Sequence, residues 1–114
     1  MMKTMIFLRR RSDMSRAAFL EWWLQHHRGL AERLPGLRRH SFNLLPAEAP
    51  FDAVVEQWFD SAEAARSAYL GEIGRAVAAD SLEHVSERMR LEVEEHDFPL
   101  VEPLDTATSA PSNK

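Results

Sequence analysis

The sequence predicts an α+β fold in which elements in the order β-α-β-β-α-β form a four-stranded antiparallel sheet with two helical regions on one face. One observation behind this prediction is that Phe19, Trp23, His27 and Leu30 recur at steps of four, four and three, which places them on one buried helix face. Another is a set of short runs of β-branched and aromatic residues on either side of that segment, which are typical of strands. A third is the alternation of charged and apolar residues over 88–94 (RMRLEVE), which predicts a last strand with one exposed face.

The first two elements are a strand and a long helix. Residues 3–10 (KTMIFLRR) form a short apolar run ended by charges and predict the first strand. Ser15 is the expected N-cap of a helix over 16–34, with Pro35-Gly36 as its terminator. Gly29 weakens this helix, so we expect its last turn to be loosened or kinked just beyond His27.

Two strands follow the first helix. Residues 37–45 predict the second strand, and the proline-rich loop 46–50 (PAEAP) ends it. Residues 53–59 predict the third strand, since valine and aromatic side chains suit a pleated, half-buried surface. Asp60-Ser61 ends this strand and supplies a cap for the next helical region.

The second helical region begins near Ala62 in this interpretation. Gly71 and Gly74 are expected to divide it into two helical pieces that reach Val85. Residues 87–96 (ERMRLEVEEH) then predict the half-exposed last strand.

Composition limits the architecture to one domain. The chain has 114 residues, which we divide into a folded domain over 1–104 and a flexible tail over 105–114, where Thr, Ala, Ser, Pro and Asn dominate. The absence of cysteine excludes disulfides, thiolate metal sites and cysteine nucleophiles. No apolar run approaches the roughly 20 residues that cross a bilayer, and the amino terminus has its apolar residues before its arginines, the reverse of a secretory signal. We therefore expect a cytoplasmic protein without a membrane partner.

Charge argues against a nucleic-acid partner. The net charge is −4, whereas a polyanion is normally met by a basic face. The clusters Arg9-Arg10-Arg11 and Arg38-Arg39 are interpreted as solvated strand ends, because they lack the interleaved aromatic residues that stack on bases.

The predicted element order is the split βαβ, or ferredoxin-like, arrangement. Its helices cover one face of the sheet, and the sequence has no further layer for the other face. A second subunit is the economical cover, so we expect a homodimer joined sheet to sheet.

The motif in the first helix resembles that of the EthD-like family of dimeric α+β barrel proteins, over about residues 5–98. The strongest part is F-x3-W-x3-H-x2-L at Phe19, Trp23, His27 and Leu30, followed by LPGL at 34–37. Further matches are the D-x3-E-x-W-F-x-S run at 52–61 and the acidic Asp80.

The resemblance implies a pocket in each subunit, between helix one and the sheet, for a small apolar cyclic or aromatic compound. Members of this family and of related barrels include cofactor-independent isomerases, cyclases and monooxygenases, so it implies no cofactor and no single reaction. The chain departs from the family at His40, where many relatives carry tyrosine, at His84, where a large apolar residue is common, and at Ser86, which replaces an acidic residue.

Three residues are candidates for catalysis: His27, His40 and Glu56. An imidazole titrates near neutral pH, so His27 can act as acid or base; alternatively it is a core histidine bonded to a backbone carbonyl or to Glu56. His40 shares a strand face with Phe42 and would join His27 if that face is the inner one, and the opposite register is also open. Glu56 could orient a histidine or accept a proton, or be an ordinary partner of an arginine.

Six more side chains are candidates for substrate binding. Aromatic residues of this kind are more often core packing than part of a ligand site, and Asp80 could equally be a helix cap or the partner of an arginine. The candidates are Phe7, Phe19, Trp23, Trp58, Asp80 and His84.

No metal or nucleotide cofactor is expected. The five histidines show neither HxxxH nor HExxH spacing, and the four glycines form no phosphate-binding loop. No serine lies in a nucleophile elbow.

These observations favour a cofactor-free enzyme in which His27 transfers a proton in an isomerisation or cyclisation. Cofactor-free oxygen insertion into a phenol is the second enzymatic interpretation. The alternatives are a non-catalytic binding or accessory protein that uses the same pocket, and a structural dimer with a filled core.

Overall fold

The structure, a computed structural model, describes residues 1–101. The predicted tail over 105–114, and the end of the predicted domain over 102–104, lie outside the described residues. The fold is a four-stranded antiparallel sheet in the order β2-β3-β1-β4, with helices on one face, as predicted. Its elements are β1 (Met2–Arg10), α1 (Arg16–Trp22), a π-helical turn (Trp23–His27), α2 (Arg28–Ala31), β2 (Arg39–Leu44), β3 (Ala53–Phe59), α3 (Ala62–Leu70), α4 (Glu72–His84) and β4 (Val85–Val93).

The first helical region starts where the sequence predicts. Ser15 caps α1, since its hydroxyl accepts a hydrogen bond from the backbone N–H of Ala18 at 3.0 Å. The region ends at Ala31 rather than at residue 34, and Gly36 follows with a φ of +80°, a conformation that favours glycine.

The irregularity in this region lies before His27, not beyond it. In the π-helical turn the backbone N–H of Arg28 bonds to the carbonyl of Trp23, five residues earlier. The wider turn allows Trp22, Trp23 and His27 all to be buried, at 5%, 2% and 5% exposure. Gly29 therefore does not mark the distortion.

The second helical region is divided at Gly71 alone. Ser61 caps α3 by accepting from the N–H of Ala64 at 3.0 Å, and Gly74 lies inside α4. A Cβ at Gly74 would lie 2.2 Å from the carbonyl oxygen of Ala68 and 2.3 Å from the Cα of Tyr69. Glycine at this position is thus what lets α4 pack directly on the end of α3.

The register of the sheet separates its side chains into two faces. Leu8 pairs with Ala53 and Arg88, and this set faces the helices, where Leu8 is packed in the core with Phe19. The alternate set, which includes Met89 and Leu91, lies on the opposite side, which we call the open face. Arg88, Arg90 and Glu92 of β4 therefore face the helices, whereas Met89, Leu91 and Val93 face away from them.

The core has two parts, one beneath each helical region. Phe19, Trp22 and Trp23 pack on β1 and β3, whereas Phe59 packs with Ala65 and Val77 of the second region. Within residues 1–101, no helix has the length and apolarity required to cross a bilayer.

Candidate functional site

A small cavity lies between the helices and the sheet, at the place where the sequence predicts a ligand pocket. Its volume is about 10 Å³, which is room for about one water molecule. The cavity is therefore far too small to hold the cyclic or aromatic compound that the sequence predicts. Among the described residues its polar lining comes from the side chains of Trp23, His27, His40, Gln57, Tyr69, Ser81 and Arg88. We call this cavity the recess.

His27 is hydrogen-bonded to the half-buried carboxylate of Asp80. Its Nδ1 lies 2.8 Å from Oδ2 of Asp80, and the Nε1–H of Trp22 donates to the same oxygen at 3.1 Å. Because a carboxylate only accepts, Nδ1 of His27 carries the proton and Nε2 keeps its lone pair. That Nε2 lies 3.4 Å from the hydroxyl of Ser81, which also lines the recess.

Burial sets the protonation state of His27. Desolvation lowers the pKa of His27 below 6.5, while the hydrogen bond to Asp80 partly opposes the shift and the charge of Arg88 adds to it. The neutral imidazole is therefore favoured near pH 7. Neutral, oriented by Asp80 and facing a cavity, His27 has the properties of a general base.

His40 lies on the inner face of β2, which resolves the register that the sequence left open. It pairs with Gln57 across the sheet, its ring lies 5.2 Å from that of Trp23, and its Nε2 is buried without a partner. Burial lowers the pKa of His40 to about 4, so this imidazole is also neutral at pH 7.

A surface groove adjoins the recess. The groove has a volume of about 260 Å³ and is lined by Trp23, Leu24, Arg28, Glu32, His40 and Phe42. Trp23 and His40 line both spaces, so these two side chains form the partition between the recess and the groove.

The structure places Glu56, Trp58 and Phe7 away from His27. All three lie on the open face of the sheet, since they alternate with the buried set of β1 and β3. Glu56 forms an ion pair with Lys3 at 3.1 Å, and the Nε1–H of Trp58 donates to Glu95 at 2.7 Å. The expectation that these residues share a pocket with His27 is wrong, because β1 and β3 present them to the other side of the sheet.

Phe19 and His84 lie near the site without lining the recess. Phe19 is fully buried and packs against Trp22, with ring centroids 5.7 Å apart. His84 stacks on the ring of Trp22 with centroids 4.5 Å apart, and its Nδ1 donates to the backbone carbonyl of Asp80 at 2.8 Å. Asp80 itself is neither a helix cap nor the partner of an arginine, since it lies within α4 and accepts from two rings.

One cluster has the composition of a metal site. Asp80, Glu83 and His84 bring three donor atoms within 4.8 Å of one another. Nδ1 of His84 and one oxygen of Asp80 already have hydrogen-bond partners, and we assign no metal to the cluster. The absence of a metal therefore stays a prediction.

Sequence reasoning missed several residues of the site. Tyr69, the only tyrosine of the chain, donates to Gln57 at 2.8 Å inside the recess. Arg88 belongs to the alternating pattern of β4, but the pattern alone does not say which of its two faces meets the helices. The role of Trp22 depends on the π-helical turn, for which the sequence has no recognised signal.

Acid is expected to weaken the fold partly through His40. The folded state holds the pKa of His40 near 4, whereas an ordinary histidine titrates at 6.5. The unfolded chain therefore binds a proton first, so this contribution to stability is complete above pH 6.5 and is lost as the pH falls toward 4. We would measure the free energy of unfolding in urea at pH 7.5 and at pH 4.5. This free energy should fall less between the two pH values in His40→Gln than in the wild type.

The control for this experiment is His26→Gln, because His26 is an exposed histidine, in the π-helical turn. Carboxylates also weaken the fold in acid, and they do so equally in all three proteins. An identical fall in the free energy of unfolding in His40→Gln and in the wild type would contradict the prediction.

Comparison with known proteins identifies relatives of this arrangement. Residues 11–87 match the family model described as EthD domain. An ethyl tert-butyl ether d (EthD) family protein from Bacillus halodurans is similar in structure with a TM-score of 0.75 and 24% identity, over 84% of this chain and 100% of that chain. No curated protein matches the chain in sequence.

Two further solved structures share the fold. A dimeric ferredoxin-like protein of unknown function from Thermobifida fusca has a TM-score of 0.66 and 16% identity, over 81% of this chain and 88% of that chain. A protein provisionally described as an antibiotic biosynthesis monooxygenase, from Nitrosomonas europaea, has a TM-score of 0.59 and 19% identity, over 83% of this chain and 98% of that chain. At such identities the likeness establishes the ferredoxin-like fold alone.

Proposed function

The chain belongs to the EthD family, and from that premise we propose that it is a cofactor-independent enzyme that transfers a proton within a small cyclic or aromatic carbonyl compound. The observation that carries the proposal is the pair formed by Nδ1 of His27 and Oδ2 of Asp80 at 2.8 Å. A carboxylate that orients an imidazole and stabilises its protonated form is a common way to make a base of the other ring nitrogen.

In this proposal one part of the substrate binds in the recess and another part binds in the groove. The recess holds about one water's volume, which suits a single oxygen atom, whereas the groove of about 260 Å³ suits a ring. Aromatic side chains of Trp23 and Phe42 line the groove and offer the ring an apolar wall. Trp23 and His40 must shift for a substrate to reach both spaces, so a conformational step precedes the chemistry.

In the reaction His27 removes a proton from a carbon next to the carbonyl group. The electron pair of the broken C–H bond moves into the carbon–carbon bond as the carbonyl oxygen becomes an enolate. The protonated imidazole, stabilised by Asp80, then returns the proton to the same or another carbon, which gives exchange or isomerisation. No electron is gained or lost overall, so the reaction needs no redox partner.

Solvent isotope exchange tests this proposal. We would incubate the protein in D2O with 2-tetralone, whose α-protons are acidic, and with α-angelica lactone, whose double bond shifts when a proton moves. Proton NMR should show loss of the α-proton signal faster than in matched buffer. Saturable binding of these probes without exchange would favour a non-catalytic protein.

A binding or accessory protein is the second candidate. The observation that favours it is the volume of about 10 Å³ around His27, which leaves the reacting part of a ring outside the interior. In that case the groove would hold a compound for another enzyme, and His27 would be a satisfied core residue.

We also propose that the chain is a homodimer joined through the open face of its sheet. Met89 and Leu91 expose 38% and 45% of their surface there, and apolar side chains of that kind on a sheet face are typical of interfaces. The similar Thermobifida fusca protein is described as dimeric. Light scattering should give twice the subunit mass of 13.1 kDa, and a monomeric wild-type protein would contradict the proposal.

A further inference from the structure

The lining of the recess indicates the charge of its occupant. We propose that the recess binds a negatively charged oxygen, held by Arg88, and that the substrate is therefore an enolisable ketone or lactone, or a phenol, bound through its enolate or phenolate oxygen. This inference rests on the proposed function and narrows its substrate class from any carbonyl-bearing ring to one that is recognised as an oxyanion.

Unpartnered donors are the first evidence. Nε1 of Trp23, Nε of Arg88 and Nε2 of His40 are all buried without a hydrogen-bond partner, and all three residues line the recess. An indole N–H and a guanidinium N–H can only donate. Since buried donors in proteins are nearly always satisfied by protein or by ordered water, these N–H groups are available to an acceptor atom that enters the recess and displaces water.

The size of the recess is the second evidence. A volume of about 10 Å³ admits one oxygen atom and not a ring. A ligand can therefore enter this space only with a terminal atom, and the donors select an acceptor for that atom. A carbonyl, enolate or phenolate oxygen meets both conditions.

The charge balance is the third evidence. In the described part of the chain no aspartate or glutamate lines the recess, and both imidazoles are favoured in their neutral form. The carboxylate of Asp80, which does not line the recess, accepts hydrogen bonds from His27 and Trp22. The positive charge of Arg88 is thus left without an anionic partner in the recess, which makes the site complementary to an anion.

The position of Arg88 on β4 explains why its positive charge lies between the sheet and the helices. β4 places Arg88 opposite Leu8 on the helix-facing side of the sheet. Its neighbour Arg90 lies on the same face, also lies over the ring of Tyr69 and also has buried N–H groups without a partner, but it does not line the recess. Arg90 therefore offers a matched control with the same charge, strand and face.

This arrangement would act in the reaction when charge moves onto oxygen. As His27 removes the proton from carbon, the carbonyl oxygen becomes negative, and the N–H groups of Arg88 and Trp23 are already in place to stabilise it. Donors that are fixed before the reaction stabilise such charge without reorganising, which is a large source of catalysis in enzymes.

The ionisation of 4-nitrophenol tests the inference without any turnover. Its phenolate is yellow and its phenol is nearly colourless, so absorbance reports the state of the bound probe. Saturating wild-type protein is expected to lower the apparent pKa of the probe by about one unit, which is an approximately tenfold preference for phenolate. Arg88→Met should abolish most of the shift, whereas Arg90→Met should retain it.

Two further variants separate this inference from the proposed function. Arg88→Lys keeps the positive charge and should keep part of the shift in the pKa of the probe. This variant tests the role of the charge even if Arg88→Met does not fold. His27→Gln should lose isotope exchange but keep the shift, because the oxyanion is held by other residues. Exchange without a shift would overturn the inference and leave the proton-transfer function standing.

The inference is overturned by any of three results. These are binding of 4-nitrophenol with an unchanged or raised pKa, no saturable binding at all, and equal loss of the shift in Arg90→Met and Arg88→Met. A recess that holds only a water molecule would give the first or second of them.

Discussion

Replacing His27 by alanine is expected to abolish proton exchange on 2-tetralone while leaving its binding largely intact. The imidazole of His27 combines an unprotonated ring nitrogen at the recess with an orienting carboxylate, the Asp80 oxygen 2.8 Å from Nδ1. Removing a general base typically costs a factor of about 10²–10⁴ in rate. The ring of the probe would still be held by the groove, so the loss should appear in kcat rather than in KM.

His26→Ala is the matched control for this experiment. His26 precedes His27 in the same π-helical turn, but it is exposed and does not line the recess. Its removal should leave exchange at the wild-type rate. An equal loss of exchange rate in the two variants would indicate a general effect on the helix and would contradict the assignment of His27 as the base.

The pH dependence of exchange gives an independent check on the same residue. Burial lowers the pKa of His27 below 6.5, and only the neutral ring can accept a proton. The rate should therefore rise with pH through a midpoint below 6.5 and stay level above it. A midpoint well above 6.5 would point to a different base.

Gly74→Ala is expected to destabilise the fold, although the same substitution at Gly29 should stabilise it. The new Cβ at position 74 would lie 2.2 Å from the carbonyl oxygen of Ala68 and 2.3 Å from the Cα of Tyr69. Both are backbone atoms that cannot move aside by a change of rotamer, so α3 and α4 must separate. Overpacking of this kind costs about 1–3 kcal/mol or more, which corresponds to a fall in Tm of roughly 5–20 °C.

Gly29 provides the comparison because a Cβ there would meet nothing within 4 Å. Alanine is favoured over glycine in a helix by about 1 kcal/mol, so Gly29→Ala should raise the Tm by a few degrees. Thermal unfolding followed by circular dichroism measures both variants. A stabilised Gly74→Ala would show that the close approach of the two helices is not required by the fold.

The fold was predictable because its signals are local. Ser15 and Ser61 cap the helices that the sequence assigned to them, and β3 spans Ala53–Phe59 as predicted. Each of these signals depends on residues within a few positions of one another, where backbone propensity and hydrogen bonding act directly.

The candidate site was predictable only in part, because it depends on which face of each strand meets the helices. Glu56 and Gln57 are neighbours in sequence, yet one faces the open side and the other lines the recess. A shift of one residue in the pairing of β3 would exchange the faces on which these two side chains lie. The alternating pattern of β4 likewise does not say which of its two faces meets the helices. Asp80 and His27 are 53 residues apart, and no local pattern relates them.

The π-helical turn has a consequence for how the site is aligned. Trp22 and His27 are five residues apart, yet both donate to the same oxygen of Asp80. In a regular α-helix each residue advances by about 100°, so side chains five residues apart would point about 140° away from each other. The wider turn over Trp23–His27 reduces that angle and brings the two rings into phase on one carboxylate. The direction of the imidazole is therefore set by the hydrogen-bond pattern of the backbone, and restoring the α-helical pattern there would misalign His27 without changing a single side chain of the site.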